Sequence, residues 1–318
     1  MPRPEPERRS RLADRSEALR LSVVVTLVDG GEQLRRCLAA LARQTGAPAL
    51  EVLIPYDDTV GDLAETRREF SGFTFMPLGP VRTERSASSP AGQHELFDRR
   101  RAAALAAATG DLVGMLEDRG VPRPEWARTM RELHARLPHE VIGGAVDWAG
   151  RGILSWSVYA CDFTRYESVN PAGQRAFVTD VNLCYKRRAL DATRPLWQER
   201  YHEPRVHDAV RREGGVLWFA PEAVVDEARS GLRISALLAE RFAWGRLYAA
   251  IRVADAPASR RALLALATVL LPALLYLRIF RRHARRTPAR LLGATPALLL
   301  LLIAWSVGEC AGYITGDP

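Results

Sequence analysis

Short apolar runs alternate with segments of helical periodicity through the N-terminal part of the chain. Leu21–Val28 is a β-branched run of strand length, and Glu32–Gln44 follows it with apolar residues at helical spacing. The alternation continues with strand-like runs at Glu51–Tyr56, Phe73–Pro77 and Leu112–Leu116 and helical segments at Asp62–Phe70 and Glu95–Thr109. This order of elements predicts an α/β fold with a doubly wound, mostly parallel sheet, flanking helices and right-handed crossovers.

Acidic residues follow two of these strand-like runs. Glu117-Asp118-Arg119 comes directly after Leu112–Leu116, and Asp57-Asp58 follows Glu51–Tyr56. Ligands of such sheets bind outside the carboxyl ends of the strands, so carboxylates at these positions are candidates for chemistry. The alternative at each position is an ordinary turn or helix cap, because Asp is favoured there in any case.

The pattern changes towards the C-terminus. Ile234–Arg252 has apolar residues at helical spacing with arginines among them, which is typical of an amphipathic interfacial helix or of a packed domain helix. Ala262–Leu277 and Leu291–Val307 are apolar runs, and the first is shorter than the ~20 residues that usually span a bilayer. The basic stretch Arg278–Arg290 between them should stay in the cytoplasm and attract anionic lipid.

These charges predict how the two apolar runs meet a membrane. If the basic stretch stays in the cytoplasm, the first run is re-entrant or interfacial, and the second is the one that can span. The alternative is a helical hairpin in which both runs cross the membrane, although basic loops usually stay on the cytoplasmic side. The expected location is the inner membrane, with the preceding domain in the cytoplasm.

Composition limits the possible partners. The 318-residue chain carries a net charge of +8, and Lys186 is its only lysine. The arginine excess is concentrated at the apolar C-terminal segments, so no nucleic-acid partner is expected. The four cysteines have no CxxC spacing, which indicates reduced structural thiols. Residues 1–20 have no apolar segment of the signal-peptide kind and are expected to form a disordered lead-in.

Five segments in order resemble the family-2 glycosyltransferases, which have a nucleotide-sugar-binding fold of the GT-A type. The similar segments are SVVVTLVDGGEQLRRCLAALARQT, EVLIPYDDTVGD, RRRAAALAAATGDLVGMLEDRGVPRPEW, TDVNLCYKRRAL and YHEPRVHDAVRREGGVLWFAPEAVV. Together they cover most of residues 21–230. The resemblance implies transfer of a sugar from a nucleotide-sugar donor, with inversion, by a membrane-associated enzyme of the bacterial type.

The resemblance also assigns the nucleotide side of the site. Thr26 and Asp58 match positions that contact the nucleobase, and Asp57 lies beside them. Arg101 matches an arginine near the nucleotide; its alternative is a solvated helix arginine. Asp118, with its neighbour Glu117, matches the acidic tip near the ribose or diphosphate.

The last position of that tip departs from the family. Family members hold Mg²⁺ or Mn²⁺ there with a carboxylate or histidine, but this chain has Arg119, which cannot ligate a cation. Three interpretations stay open. Asp118 and Glu117 hold a metal without the usual ligand, Arg119 binds the diphosphate directly in its place, or the chain is a catalytically inactive relative that binds a nucleotide sugar or a partner protein.

The acceptor side is assigned in the same way. Glu203 matches the general base, although Pro204 stands where the family often has a second acid, and its alternative is an acid at a helix N-terminus. Asn182 and His207 match positions facing the acceptor or donor sugar. The expected acceptor is lipid-linked or a cell-surface glycan.

The predicted domains follow from these matches. Residues 1–20 form the lead-in, and 21–230 form the catalytic domain, with a nucleotide-binding half at about 21–125 and an acceptor half at about 126–230. Residues 231–261 contain the interfacial helix, and 262–318 are embedded in the membrane.

Overall fold

The structure, a computed structural model, describes residues 18–46, 49–229, 231–254 and 256–317. Residues 1–17 of the predicted lead-in lie outside this range. The chain divides into two compact units. The α/β unit contains the residues up to Arg82 together with Glu95–Asp147 and Tyr166–Glu227, and the helical unit contains Thr83–His94, Trp148–Arg165 and the residues from Ala228 onward.

The described strands of the chain form one sheet, in the order β3-β2-β1-β4-β8-β6-β9-β5, with β7 paired to β9. The pairs β1–β2, β2–β3 and β1–β4 are parallel, whereas β8 is antiparallel to β4 and β6. The strands are β1 Leu21–Thr26, β2 Glu51–Tyr56, β3 Thr74–Pro77, β4 Leu112–Glu117, β5 Gly120–Pro122, β6 Val141–Trp148, β7 Gly173–Gln174, β8 Asn182–Lys186 and β9 Leu217–Glu227. The predicted α/β fold is confirmed, and the antiparallel strands extend its parallel half.

The helices flank this sheet or belong to the helical unit. In chain order they are α1 Gly31–Ala42, α2 Ala64–Glu69, α3 Pro90–Ala107, α4 Trp126–Arg136, α5 Gly152–Asp162, α6 Arg187–Ala192, α7 Arg194–Trp197, α8 Glu203–Arg212, α9 Ile234–Arg252, α10 Ala258–Ala267, α11 Leu271–His283 and α12 Pro288–Thr315. Helix α3 begins earlier than the predicted Glu95, at a proline, which suits the first turn of a helix.

Apolar periodicity explains why the first elements form where they do. All six residues of β1 are buried, as expected for a strand covered on both faces. Helix α1 buries Leu34, Cys37, Leu38 and Leu41. Each fully buried leucine contributes about 1.5–3 kcal/mol, so these two elements anchor one core of the α/β unit.

The order in which the chain adds strands to the sheet reverses between β1 and β4. The chain places β2 and β3 on one side of β1 and then returns to place β4 on the other side. Thr26 and Glu117 are partners in the parallel register at the carboxyl ends of these two strands. Such a switch point leaves a crevice where α/β proteins bind ligands.

The helical unit holds two helices that are long and apolar enough to cross a membrane by length and composition, Ala258–His283 and Pro288–Thr315. The first contains a 3₁₀ turn at Thr268–Leu270 and then continues as α11. The prediction that this first apolar run is too short was therefore wrong. Pro272 lies in the first turn of α11, where a proline does not break the helix.

Helix α9 has the predicted bounds, Ile234–Arg252, and packs against α12. A Cβ atom at Gly245 would lie 2.2 Å from the Trp305 carbonyl oxygen, so the two backbones are in direct contact. This packing supports the alternative of a packed domain helix for this segment.

Candidate active site

Arg101 is the centre of a buried cluster of charges at the switch point. Its Nε donates to Thr26 Oγ1 at 3.0 Å, and its Nη2 donates to Glu117 Oε1 at 2.8 Å. Its Nη1 lies 2.8 Å from Asp180 Oδ2 and 3.9 Å from Asp98 Oδ1. Arg101 is only 4% exposed, which excludes the alternative of a solvated helix arginine. Helix α3 and strand β4 thus bring Arg101 and Glu117 together.

Glu203 joins this cluster from the first residue of α8. Its Oε2 accepts a hydrogen bond from the Asp180 backbone N–H at 3.4 Å, and its Oε1 lies 3.3 Å from His207 Nδ1. His207 Nε2 is 2.9 Å from the Tyr185 hydroxyl, which is 2.7 Å from the Tyr201 hydroxyl. A chain of polar groups therefore runs from the base candidate into the core.

The protonation of this chain follows from its burial. Burial and the charge of Asp180 raise the pKa of Glu203 well above its usual range, and the nearby Arg101 opposes the rise. Burial lowers the pKa of His207 to about 4, so the imidazole is neutral near pH 7. A carboxyl group whose pKa moves towards neutrality is suited to accept a proton in general base catalysis.

Asp57 lies in a closed arrangement at the end of β2. Arg100 Nε donates to its Oδ2 at 2.7 Å, and the backbone N–H and hydroxyl of Thr59 donate to its Oδ1 at 2.7 and 2.6 Å. Burial tends to raise the pKa of Asp57, but these hydrogen bonds outweigh it and lower the pKa. Asp57 therefore has the role of a turn residue, whereas Asp58 beside it is exposed.

Asp118 faces the loop between β1 and α1. Its Oδ2 accepts hydrogen bonds from the backbone N–H groups of Asp29 at 3.1 Å and Gly30 at 2.6 Å. Gly30 has a φ of 67°, a conformation that glycine adopts at little cost. Burial raises the pKa of Asp118 to about 7, although the backbone hydrogen bonds oppose this rise.

Arg119 forms a two-pronged ion pair with Asp29. Its Nε donates to Asp29 Oδ2 at 2.7 Å and its Nη2 donates to Asp29 Oδ1 at 2.6 Å. Bidentate pairs of this kind hold a guanidinium in a fixed orientation. The arginine at the last position of the acidic tip is thus positioned by Asp29, which lies in the loop after β1.

The tip does not present a set of oxygen ligands for Mg²⁺ or Mn²⁺. Asp118 is hydrogen-bonded by backbone N–H groups, Glu117 is paired with Arg101, and Arg119 is paired with Asp29. Among the described residues, no group of three or more His, Cys, Asp or Glu side chains is arranged to hold a metal ion.

Asn182 is part of the core at the start of β8. Its Oδ1 accepts from the Trp126 indole N–H at 2.8 Å, and its Nδ2 donates to the carbonyls of Ala145 at 2.7 Å and Ala223 at 2.9 Å. The side chain is fully buried, and both of its N–H groups are used within the protein. These hydrogen bonds join the start of β8 to β6 and β9.

Sequence reasoning missed four residues that complete the site. Asp180 pairs with Arg101, Asp29 pairs with Arg119, and Tyr185 and Tyr201 extend the chain from His207. All four residues lie inside segments that carry the resemblance; Asp29 follows β1 and Asp180 precedes β8, and those positions beside strands were the available signal. Tyr185 and Tyr201 are buried, and their polar role shows only in their hydrogen bonds.

Comparisons with known proteins identify the fold. No protein-family model and no curated protein sequence matches the chain. The structure is similar to that of the mannosyltransferase PcManGT from Pyrobaculum calidifontis in complex with GDP-Man and Mn²⁺, with a TM-score of 0.50 and 16% identity over 96% of this chain and 94% of that chain. A crystal structure of a mycobacterial protein aligns with a TM-score of 0.47 and 14% identity over 74% of this chain and 76% of that chain. The chain therefore shares the fold of the first of these structures, a glycosyltransferase.

Proposed function

We propose that this protein transfers a sugar from a nucleotide-sugar donor to a hydroxyl group of a lipid-linked or cell-surface glycan acceptor at the cytoplasmic face of the membrane. The observation that carries the proposal is the position of Glu203, which joins the buried Arg101 cluster at the switch point of a glycosyltransferase fold. Because Asp180 disfavours a second negative charge beside it, Glu203 has an increased affinity for a proton.

In the proposed reaction the ionised Glu203 carboxylate takes the proton of the acceptor hydroxyl. The acceptor oxygen then forms a bond to the anomeric carbon, while the bond from that carbon to the diphosphate oxygen breaks on the opposite face. The nucleoside diphosphate leaves, and the configuration is inverted. General base catalysis of this kind supplies about 10²–10⁴-fold in rate.

The remaining carboxylates are assigned to donor recognition. Glu117 and Asp180 have partly exposed side chains, at 18% each, and carboxylate oxygens accept hydrogen bonds from sugar hydroxyls. Asp58 is exposed at the end of β2 and is proposed to contact the base. Arg119 is proposed to bind the diphosphate after exchanging Asp29 for phosphate oxygens, because a guanidinium forms bidentate pairs with either group.

A second function is favoured by the Arg119–Asp29 pair. This pair directs Nε and Nη2 of Arg119 to Asp29 instead of a diphosphate, which favours a chain that binds a nucleotide sugar or a partner protein without transferring the sugar. This inactive alternative predicts binding without turnover.

One experiment distinguishes the two functions. The full chain is screened by thermal shift against UDP-, GDP-, dTDP- and CMP-sugars, with and without Mn²⁺, because a ligand that binds the folded state raises the melting temperature. The stabilising donor is then used in a transfer assay with lipid extract as the acceptor, and Glu203→Gln is compared with Glu213→Gln, an exposed residue directly after the same helix.

We expect Glu203→Gln to lose transfer by about 10²–10⁴-fold while it keeps the thermal shift. Glu213→Gln should retain both activities. Donor binding with no transfer by the unsubstituted chain supports the inactive alternative, and near-normal transfer by Glu203→Gln overturns the role of this residue. Activity that survives EDTA supports Arg119 as the diphosphate ligand, whereas loss in EDTA that Mn²⁺ restores rejects it.

A further inference from the structure

Helix α12 has two faces of different character. Along its N-terminal half one face packs against α5, where Gly293 lies next to Ile153 and Leu301 forms a buried cluster with Val158 and Leu237. Leu291, Ala294 and Leu298 continue the same buried stripe at helical spacing. The helix is therefore a packed component of the helical unit from its first turns.

Along its C-terminal half the same face packs against α9 at backbone distance. A Cβ atom on Gly308 would lie 2.1 Å from the Phe242 carbonyl oxygen, and one on Gly312 would lie 2.3 Å from the Arg246 carbonyl oxygen. Only glycine allows backbones this close. Helices α5 and α9 together cover one face of α12 over nearly its whole length, so the three helices enter any environment together.

These companion helices carry charges beside α12. Arg241 of α9 forms a bidentate pair with Asp162 of α5, with both distances at 2.6 Å. Arg246 donates from Nε to the Asp317 carbonyl oxygen at 3.1 Å, and Arg252 is exposed at the end of α9. If α12 crossed a bilayer, these groups would enter hydrocarbon at a cost of about 2.5–3.5 kcal/mol for each unpaired charge.

The opposite side of the hairpin formed by α10, α11 and α12 is apolar and exposed. We call this side the membrane face. Its residues on α12 recur at helical spacing. Those on α10, on the 3₁₀ turn after it and on α11 form a second stripe. The stripes contain Leu292, Leu299, Leu300, Ile303 and Val307, and Leu263, Leu266, Val269, Leu270, Leu274 and Leu277, with exposures between 37% and 79%. An exposed apolar surface of this extent marks a binding site for lipid or protein.

Arginines border the membrane face at both ends of the hairpin. Arg278, Arg281, Arg282, Arg285, Arg286 and Arg290 surround the turn and are exposed, and Arg252 and Arg260 are exposed at the opposite end. A hairpin that crossed the bilayer would carry the six arginines of the turn to the far side. A hairpin lying flat keeps both basic ends at one level, where anionic headgroups attract them.

We propose that α10, α11 and α12 lie in the plane of an anionic membrane surface, with the membrane face among the acyl chains. None of the three helices crosses the bilayer. The charge at both ends and the charged helices behind α12 select a lipid surface as the occupant of the membrane face. Amphipathic elements bound in this way enter to a depth of about 5–10 Å. The attachment is independent of the transfer chemistry, so either proposal can fail alone.

The test locates position 285 relative to the bilayer. Arg285→Cys and, in the α/β unit, the exposed control Arg68→Cys are made in the full chain in a bacterial host. Right-side-out and inside-out vesicles are labelled with a membrane-impermeant maleimide, and the wild-type chain gives the background from native cysteines. Both variants should label from the same side. Labelling of Arg285→Cys only from the side opposite to Arg68→Cys overturns the proposal.

A second measurement tests the membrane face itself. Val269 and Val169 are exposed valines, at 79% on the membrane face and 61% in the α/β unit, and each is replaced by aspartate in the full chain. Val269→Asp should weaken flotation with vesicles of phosphatidylcholine and phosphatidylglycerol at least tenfold, and Val169→Asp should not. Removing phosphatidylglycerol should also weaken binding of the wild-type chain. Equal binding by the two variants, or no effect of phosphatidylglycerol, contradicts the in-plane lipid surface.

Discussion

Charge is treated differently at the switch point of the α/β unit and around the apolar face of the helical unit. At the switch point, Arg100 and Arg101 are buried, and Arg100 meets Asp57 while Arg101 meets Glu117 and Asp180. In the helical unit, arginines such as Arg285 and Arg290 are exposed around an apolar surface that is also exposed. Burial of charge requires a partner within hydrogen-bonding distance, whereas charge at a surface requires only water or headgroups.

This difference separates two kinds of recognition. A preorganised cluster of ions in a desolvated crevice suits a small polar ligand whose hydroxyls and phosphates must be held in one geometry. A broad apolar face with a basic border suits a fluid surface in which no single contact is specific. Four predictions test the comparison, beginning with the largest effect on stability.

The first prediction compares two arginines. Arg101→Met should destabilise the fold by about 3–5 kcal/mol, because it removes the buried cation that pairs with Glu117 and Asp180, while Asp98 keeps its ion pair with Arg200. Arg285→Met should change stability by less than about 0.5 kcal/mol, because its side chain is exposed. Urea unfolding of both variants measures the difference, and equal midpoints would remove the distinction between the two units.

The second prediction concerns the close helix pair of the helical unit. Gly308→Ala should destabilise the protein by about 1–3 kcal/mol, because the new methyl group would lie 2.1 Å from the Phe242 carbonyl oxygen. Gly72→Ala is the matched control, since nothing lies within 4 Å of a Cβ atom there. Thermal unfolding should distinguish the two variants. A stable Gly308→Ala protein would show that α9 and α12 can separate at no cost.

The third prediction concerns the pH dependence of transfer. The negative charge of Asp180 raises the pKa of Glu203, so Asp180→Asn should lower that pKa. A base with a lower pKa is ionised at lower pH, and the acidic limb of the rate profile should move to lower pH. Initial rates against pH measure the shift, with Asp191→Asn as the exposed control. An unchanged acidic limb would show that the charge of Asp180 does not raise the pKa of the catalytic base.

The fourth prediction concerns the pH dependence of stability. The folded pKa of Glu203 is raised, so its contribution to stability is fully present below the unfolded pKa and is lost as pH rises towards the folded value. Glutamine stays neutral and avoids this loss. The melting temperature of Glu203→Gln minus that of the wild type should therefore increase between pH 5 and pH 8. The same difference for Glu213→Gln should not change with pH. A difference that decreases as pH rises would show that the pKa of Glu203 is lowered in the folded protein.

Much of the fold was predictable because local pattern determines local elements. The alternation of buried strands and amphipathic helices identified β1, α1, β2 and β4 with bounds close to those observed. The antiparallel strands were harder to predict, because β6, β8 and β9 pair across long separations in sequence and their partners leave no local signature. The length of the first apolar helix was underestimated because the apolar run ends at Arg261 and Arg278, whereas the helix continues past both arginines.

The candidate site was predictable in its parts but not in its pairings. Strand ends and the family resemblance identified Arg101, Glu117, Asp118 and Glu203, and the structure brings Arg101, Glu117 and Glu203 into one cluster. Sequence reasoning placed Asn182 and His207 towards a sugar, whereas both are fully buried within the protein. Adjacent arginines cannot be told apart by pattern, yet Arg100 holds Asp57 and Arg101 holds Glu117.

The α/β class, the acidic strand ends, the positive charge of Arg119 and the apolar, arginine-bordered C-terminus can all be read from the amino-acid sequence. These features depend on residue type and short-range spacing, which a single chain displays directly. The folded chain adds the contacts of Asp29 with Arg119 and of Asp180 with Glu203, and the packing of α5 and α9 on one face of α12. Those contacts join residues far apart in sequence, and close packing selects them only after the elements have assembled.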